Sequence, residues 1–146
     1  MKTELEAASK ESNENRDSLN QVSEQRKQKF NDLFNKVSQQ MPINYRELTK
    51  AAGTASLLIS GFEEPFNSTI IFDFTPPGKR NGVDFEMLSG GEKTMAALAF
   101  VFALVQAVKP SMLILDEIDA FLDSDNVEAV TLFLKNKLNM LAGAQS

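Results

Sequence analysis

Two short stretches of this chain carry residue types suited to chemistry on a phosphate ester, and neither is complete by itself. The first is Met112-Leu113-Ile114-Leu115-Asp116-Glu117, two carboxylates following four apolar residues, with Asp119, Asp123 and Asp125 close behind. Five carboxylates within ten residues, with no Lys or Arg among them, repel one another unless a cation or hydrogen-bond donors offset the charge. Magnesium is usually held by one or two carboxylates, with phosphate oxygens and water completing its shell. Asp116 could therefore anchor such an ion through water while Glu117 polarises an attacking water. The same hexapeptide equally suits an acidic turn whose Asp side chains cap helices, and on its own it leaves both readings open.

The second stretch is Leu88-Ser89-Gly90-Gly91-Glu92-Lys93. Adjacent glycines let backbone approach an anion closely, and the Ser hydroxyl adds a donor. The helix that follows points its unpaired N–H groups and positive dipole end at the same spot. Read alone, the segment is also an ordinary capped helix start with glycines in a turn. The two stretches in this order, separated by one apolar helix, favour a phosphate seat. No Gly-x-x-x-x-Gly-Lys-Ser/Thr loop occurs among the seven glycines, so the chain does not cradle a β-phosphate itself.

What positions these residues is read from periodicity and breakers. Ser89 to Glu92 has the Ser-x-x-Glu form of a capping box, and the helix it opens runs to about Val108. Only Gln106 interrupts the apolar run Met95–Val108, so this helix must lie under other elements. Pro110 stops it. Met112–Leu115 then reads as a central strand buried on both faces. A last helix covers about Ser124 to Leu141, with Gly143 as its stop and no room for a further strand.

Upstream, residues 1–40 are polar, free of Gly and Pro, and helical by composition, with a firm apolar stripe only from Phe30 through Leu33, Phe34 and Val37. A solvated helix and a coiled-coil arm are equally compatible with that pattern. Met41-Pro42 is expected to end this helix or bend it, with a short helix to Ala52 following. Ala55–Gly61 and Ser68–Thr75 look like a β-hairpin. Residues 76–82 form a loop by composition, carrying the exposed basic pair Lys79 and Arg80 on what reads as a solvated turn.

At 146 residues, 42% of them apolar, one globular domain is expected. The net charge of −5 falls on the folded part, because residues 1–40 balance seven acids with seven bases. A bulk electrostatic grip on nucleic acid or an anionic membrane needs the opposite balance. With no Cys and no His, disulfides, thiolate chemistry and imidazole-based triads or metal sites are excluded. No signal-peptide core is seen, and Met95–Val108 is shorter than the roughly 20 residues of a bilayer span, which suggests a soluble intracellular protein without membrane contact.

These residues resemble an ATP-binding-cassette ATPase. Leu88, Ser89, Gly90, Gly91, Glu92 and Lys93 are similar to its signature motif, Leu113–Glu117 to its Walker B strand and Ala120–Asp123 to its D-loop. Asp116-Glu117-Ile118-Asp119-Ala120 is similar to the chromosome-organising SMC (structural maintenance of chromosomes) ATPases, where transporter cassettes continue with Pro-Thr. Within that family Glu63-Glu64-Pro65-Phe66, Pro77-Gly78-Lys79-Arg80 and Lys93-Thr94 with Ala96–Ala99 look most like a cohesin subunit, condensin subunits being the nearest rivals.

The resemblance implies an α/β fold: the C-terminal lobe of an ABC-type head over 41–146, with a β-hairpin, a buried central strand and flanking helices. Residues 1–40 would be a coiled-coil stub leading into it. The resemblance further implies ATP and Mg as cofactors, Asp116 in the magnesium water shell, and Glu117 as general base. Leu88, Ser89, Gly90, Gly91 and Glu92 would act in trans on ATP held by a partner head, with Asp123 linking the two sites. Implied partners are the N-terminal half of the same head, a second SMC head, the C-terminal domain of a kleisin subunit, and DNA through the assembled complex. The implied location is the chromosome, nuclear in a eukaryote and cytoplasmic or nucleoid in a prokaryote. By itself the chain is then expected not to hydrolyse ATP. Phe121 stands where the family usually has a small Ala, and the chain stops at Ser146, ahead of the strand that carries the family's switch residue. Two other readings are a non-catalytic interaction module and a half-cassette of a DNA-repair or transporter ATPase.

Overall fold

The computed structural model describes residues 2–61, 65–80, 83 and 85–143, with side chains described from 9 to 139. Expectations placed on Glu63, Glu64, Asn81 and Gly82 lie outside the described residues. The first element, α1, is one helix over Lys2–Leu48. It does not stop at Pro42. A proline inside a helix forfeits one hydrogen bond and crowds the preceding turn, but both sides of this one are fixed by burial. Val37, Met41, Asn44, Tyr45 and Leu48 are all buried, extending the Phe30 stripe at spacings of three and four straight through the proline. Tertiary packing overrides the local break.

The face so formed lies mainly on α2, Gly90–Val108. Gln106, the polar interruption in α2, has its explanation here. Fully buried Asn44 donates from Nδ2 to Gln106 Oε1 and to the Ala99 carbonyl, each at 3.1 Å. Its Oδ1 accepts from Gln40 Nε2 at 3.1 Å. A buried amide is tolerated when it is hydrogen-bonded, so the polar residues of the two helices require one another and fix how one lies on the other. By length and composition α2 would pass for a membrane-crossing helix. Here it is the core helix, burying Met95, Ala96, Leu98, Ala99, Phe102, Ala103 and Val105. It ends on left-handed Lys109 (φ 52°), whose N–H donates to the Val105 carbonyl ahead of Pro110.

The expected hairpin is present as β1, Thr54–Ile59, and β2, Ile70–Thr75, antiparallel from Thr54 opposite Thr75 to Ile59 opposite Ile70. Its inward side is aromatic: Phe74 meets Tyr45 at 5.2 Å and Phe72 meets Phe100 edge-on at 5.0 Å. Gly53, just before β1, admits no side chain, because a Cβ there would lie 2.8 Å from the Tyr45 ring. The last helix, α3, Ser124–Gly143, packs Ala129, Val130 and Phe133 inward, Phe133 edge-on to Phe102 at 5.1 Å. Buried Lys137 reaches both Glu47 carboxylate oxygens, at 2.8 and 3.0 Å, and ties α3 to α1.

The central strand is the expectation that fails. Met112–Leu115 lies in a loop without strand pairing, and Met112 and Ile114 are 74% and 77% exposed. A strand needs neighbours on its edges to satisfy its N–H and C=O groups. The sheet described here has two strands, β1 and β2, and neither borders this segment.

Candidate functional site

Ser89 is the N-cap of α2, in extended conformation. Its Oγ accepts the Glu92 N–H at 3.3 Å, and Glu92 Oε2 accepts the Ser89 N–H at 2.7 Å, completing the box that the spacing predicts. Leu88 is buried beneath it and anchors the turn. Lys79 is not on a merely solvated turn: its Nζ lies 3.1 Å from the same Glu92 oxygen. Burial alone would raise the Glu92 pKa. The hydrogen bonds from Ser89 and Lys79 outweigh it and hold the carboxyl below its ordinary value.

Ser89, Gly91, Glu92 and Asp123 face one cleft of about 660 Å³. It is also lined by Tyr45 and Leu48 from the end of α1 and by Thr49 and Lys50 from the turn that follows. This part of the lining was not expected from the sequence, where an end or bend at Met41-Pro42 and a short helix to Ala52 stood in place of one continuous α1. The signal was available, since the apolar stripe continues past Pro42 in register. Thr49 Oγ1 donates to the Tyr45 carbonyl at 2.7 Å and accepts the Gly53 N–H at 3.1 Å, closing the end of the helix.

Asp123 has a structural task. Its Oδ1 accepts the Asn126 N–H at 2.9 Å, so it caps α3, the helix-capping role weighed for this acidic cluster. Phe121 is 75% exposed, yet it covers the glycines: a Cβ on Gly90 would lie 3.4 Å from the Phe121 Cβ, and one on Gly91 3.2 Å from the Phe121 carbonyl oxygen. A side chain at either glycine would therefore meet this loop.

Asp116 and Glu117 lie apart from the cleft's lining, in the exposed segment that follows Leu115. Glu117 takes a left-handed conformation (φ 49°) and opens the turn to Phe121, its carbonyl accepting the Ala120 N–H. Among the described residues no three acidic side chains converge as a metal cage. Magnesium needs no such cage, since one or two carboxylates with phosphate and water suffice, so the exposed Asp116 and Glu117 fit it as donors. The Ser89 hydroxyl and the first-turn N–H groups of Gly90 and Gly91, which have no carbonyl four residues back, likewise fit a phosphate.

Helix-on-hairpin architecture, the capped Gly-Gly turn and the acidic turn together define an SMC-type head region. Residues 2–142 match the family described as "RecF/RecN/SMC N terminal domain", and the chain belongs to that family. It is 42% identical over 126 residues to "Structural maintenance of chromosomes protein 1" of Saccharomyces cerevisiae, covering 81% of this chain and 10% of that protein. The chain thus spans about a tenth of the length of the curated relatives it matches. It superimposes with a TM-score of 0.73 and 32% identity on the Smc head domain with an extended coiled coil from Pyrococcus furiosus, solved bound to the C-terminal domain of ScpA, covering 83% of this chain and 30% of that one. A structure from a study of ATP-driven dimerization and DNA-stimulated activation of SMC ATPases matches with a TM-score of 0.65 and 33% identity, covering 75% and 65%.

Proposed function

We propose that this chain is the C-terminal lobe of an SMC ATPase head, of the type of the first SMC subunit of cohesin, and that it serves two composite ATP sites while completing neither. The observation that carries this is the capped Gly-Gly helix start, which turns Ser89 and Gly91 into the cleft while Asp116 and Glu117 stand outside it. Two groups of residues that do not share one cleft suit two nucleotides better than one.

At the first site Ser89, Gly90 and Gly91 would close over the γ-phosphate of ATP bound to a partner head. The Ser89 hydroxyl suits this, because the cap uses one of its acceptor positions and leaves its proton to donate outward. At the second, ATP and magnesium would be bound with the N-terminal half of the same head, which supplies the phosphate-binding loop. Asp116 would hold the ion through water, and Glu117 would take the proton of the attacking water. Magnesium there would neutralise charge developing on the phosphate oxygens. The D-loop, anchored by Asp123 at the start of α3, would carry contact between the two sites. The kleisin C-terminal domain as a further partner is supported by the ScpA-bound relative, and location on the chromosome by the names of the relatives. DNA would be met by the assembled complex.

The test is complementation. Mixed with a matching N-terminal half and a partner head, the wild-type chain should support ATP turnover, and Ser89→Arg and Glu117→Gln should each abolish it. Turnover unaffected by either substitution would sink the proposal. A second reading, a docking module without catalysis, draws on the exposed 112–117 segment, which has no strand pairing and lies outside the cleft. Kleisin binding with no turnover in any mixture would favour it.

A further inference from the structure

We infer that Lys79 is a positioning residue for the signature loop, acting through Glu92 on Ser89; the inference rests on the proposed role of Ser89 at a partner's phosphate. The turn at 76–79 is closed by the Lys79 N–H on the Pro76 carbonyl at 3.1 Å. Gly78 makes it with φ +81°, a backbone conformation L residues rarely take, although a side chain there would meet nothing. The turn brings Lys79 Nζ to Glu92 Oε2 at 3.1 Å, the same oxygen that holds the Ser89 N–H at 2.7 Å. One carboxylate oxygen therefore joins the basic loop to the helix cap, and displacing the lysine changes what the cap rests on.

Charge gives the second reason. Among the described residues the cleft is lined by Glu92, Asp123 and Asp125 against one cation, Lys50, with Tyr45 also lining it. That balance opposes a polyanion such as a nucleoside triphosphate. Lys79 does not line the cleft, but it neutralises the carboxylate standing in the first turn of α2, where a phosphate would meet the N–H groups. With Lys79 and Glu92 side chains 40% and 23% exposed, the pair adds little to folding stability. Its loss should therefore be read at the site and not in the fold.

The test begins with the isotope-labelled chain, following the Ser89 amide resonance as Glu92 titrates. Glu92 is charged above its ordinary value of 4.5, and its protonation on acidification should release the amide at a midpoint below that value. Lys79→Gln should move the midpoint upward and Lys79→Arg should restore it. In the reconstituted heads, Lys79→Gln should raise the ATP concentration for half-maximal turnover by about two- to fivefold while changing maximal turnover less, with Lys79→Arg near wild type. An amide midpoint unmoved by Lys79→Gln would overturn the inference. So would an unchanged ATP dependence in heads that Ser89→Arg still inactivates. Turnover indifferent to Ser89→Arg and Glu117→Gln would instead remove the ATPase reading, and the amide measurement tells the two failures apart.

Discussion

Tyr45 is the only tyrosine in the chain, so its ionisation can be followed without interference. Burial first, and the charge of Glu92 second, push its hydroxyl from 10.0 up to about 12. A raised folded pKa means stability that is full below pH 10 and lost as the pH rises toward 12, because the unfolded chain gives up this proton first. Phenolate absorbance should therefore appear only above the ordinary tyrosine range. Tyr45→Phe should flatten the alkaline fall in stability measured by urea unfolding, and an unaltered fall would count against this account. The Ser89–Glu92 box was legible in sequence because a capping box is a matter of four consecutive residues. The place of Tyr45 was not, since its neighbours Phe74 and Glu92 come from elements far along the chain. Phe121 stood out as a bulky residue in a loop expected to be small, but only the fold shows that it lies on Gly90.

Two predictions belong to the helices. Pro42 lies inside a continuous α1, where Ala restores a donor and removes a clash, so Pro42→Ala should raise unfolding stability by up to about 3 kcal/mol. A loss of stability would show that the proline is accommodated by something other than flanking burial. Asn44→Ala should cost about 1–3 kcal/mol by removing the donor to the buried Ala99 carbonyl and to the half-buried Gln106 Oε1. The double variant Asn44→Ala with Gln106→Ala should lose less than the sum of the two single changes, which a double-mutant cycle in urea would measure. The capped helix and the hairpin were readable because caps, alternation and breakers are local. The strand at 112–115 was misread because four apolar residues in a row state only that burial is wanted. Whether a sheet exists to receive them is decided by other segments.

For the molecule as a whole, the exposed run from Met112 to Leu115 is a surface with no strand beside it. Unpaired β-type segments of this kind promote association between copies. The chain in isolation should therefore self-associate as its concentration rises, and Ile114→Lys should suppress this in light scattering without altering its circular dichroism. If the proposed head is correct, the same substitution should block complementation with an N-terminal half. Equal self-association of wild type and variant would locate the sticky surface elsewhere.

The unbroken course of α1 has a mechanical consequence. Its last turn lines the cleft at Tyr45 and Leu48, while residues 9–26 are exposed to solvent. At the usual rise per residue, a helix of 47 residues is a rod about 70 Å long. A tilt of roughly five degrees at the cleft end would then carry the far tip sideways by about 6 Å, several times the shift that caused it. The proline does not interrupt the helix, and the Asn44–Gln106 hydrogen bond holds it to α2 close to the cleft end.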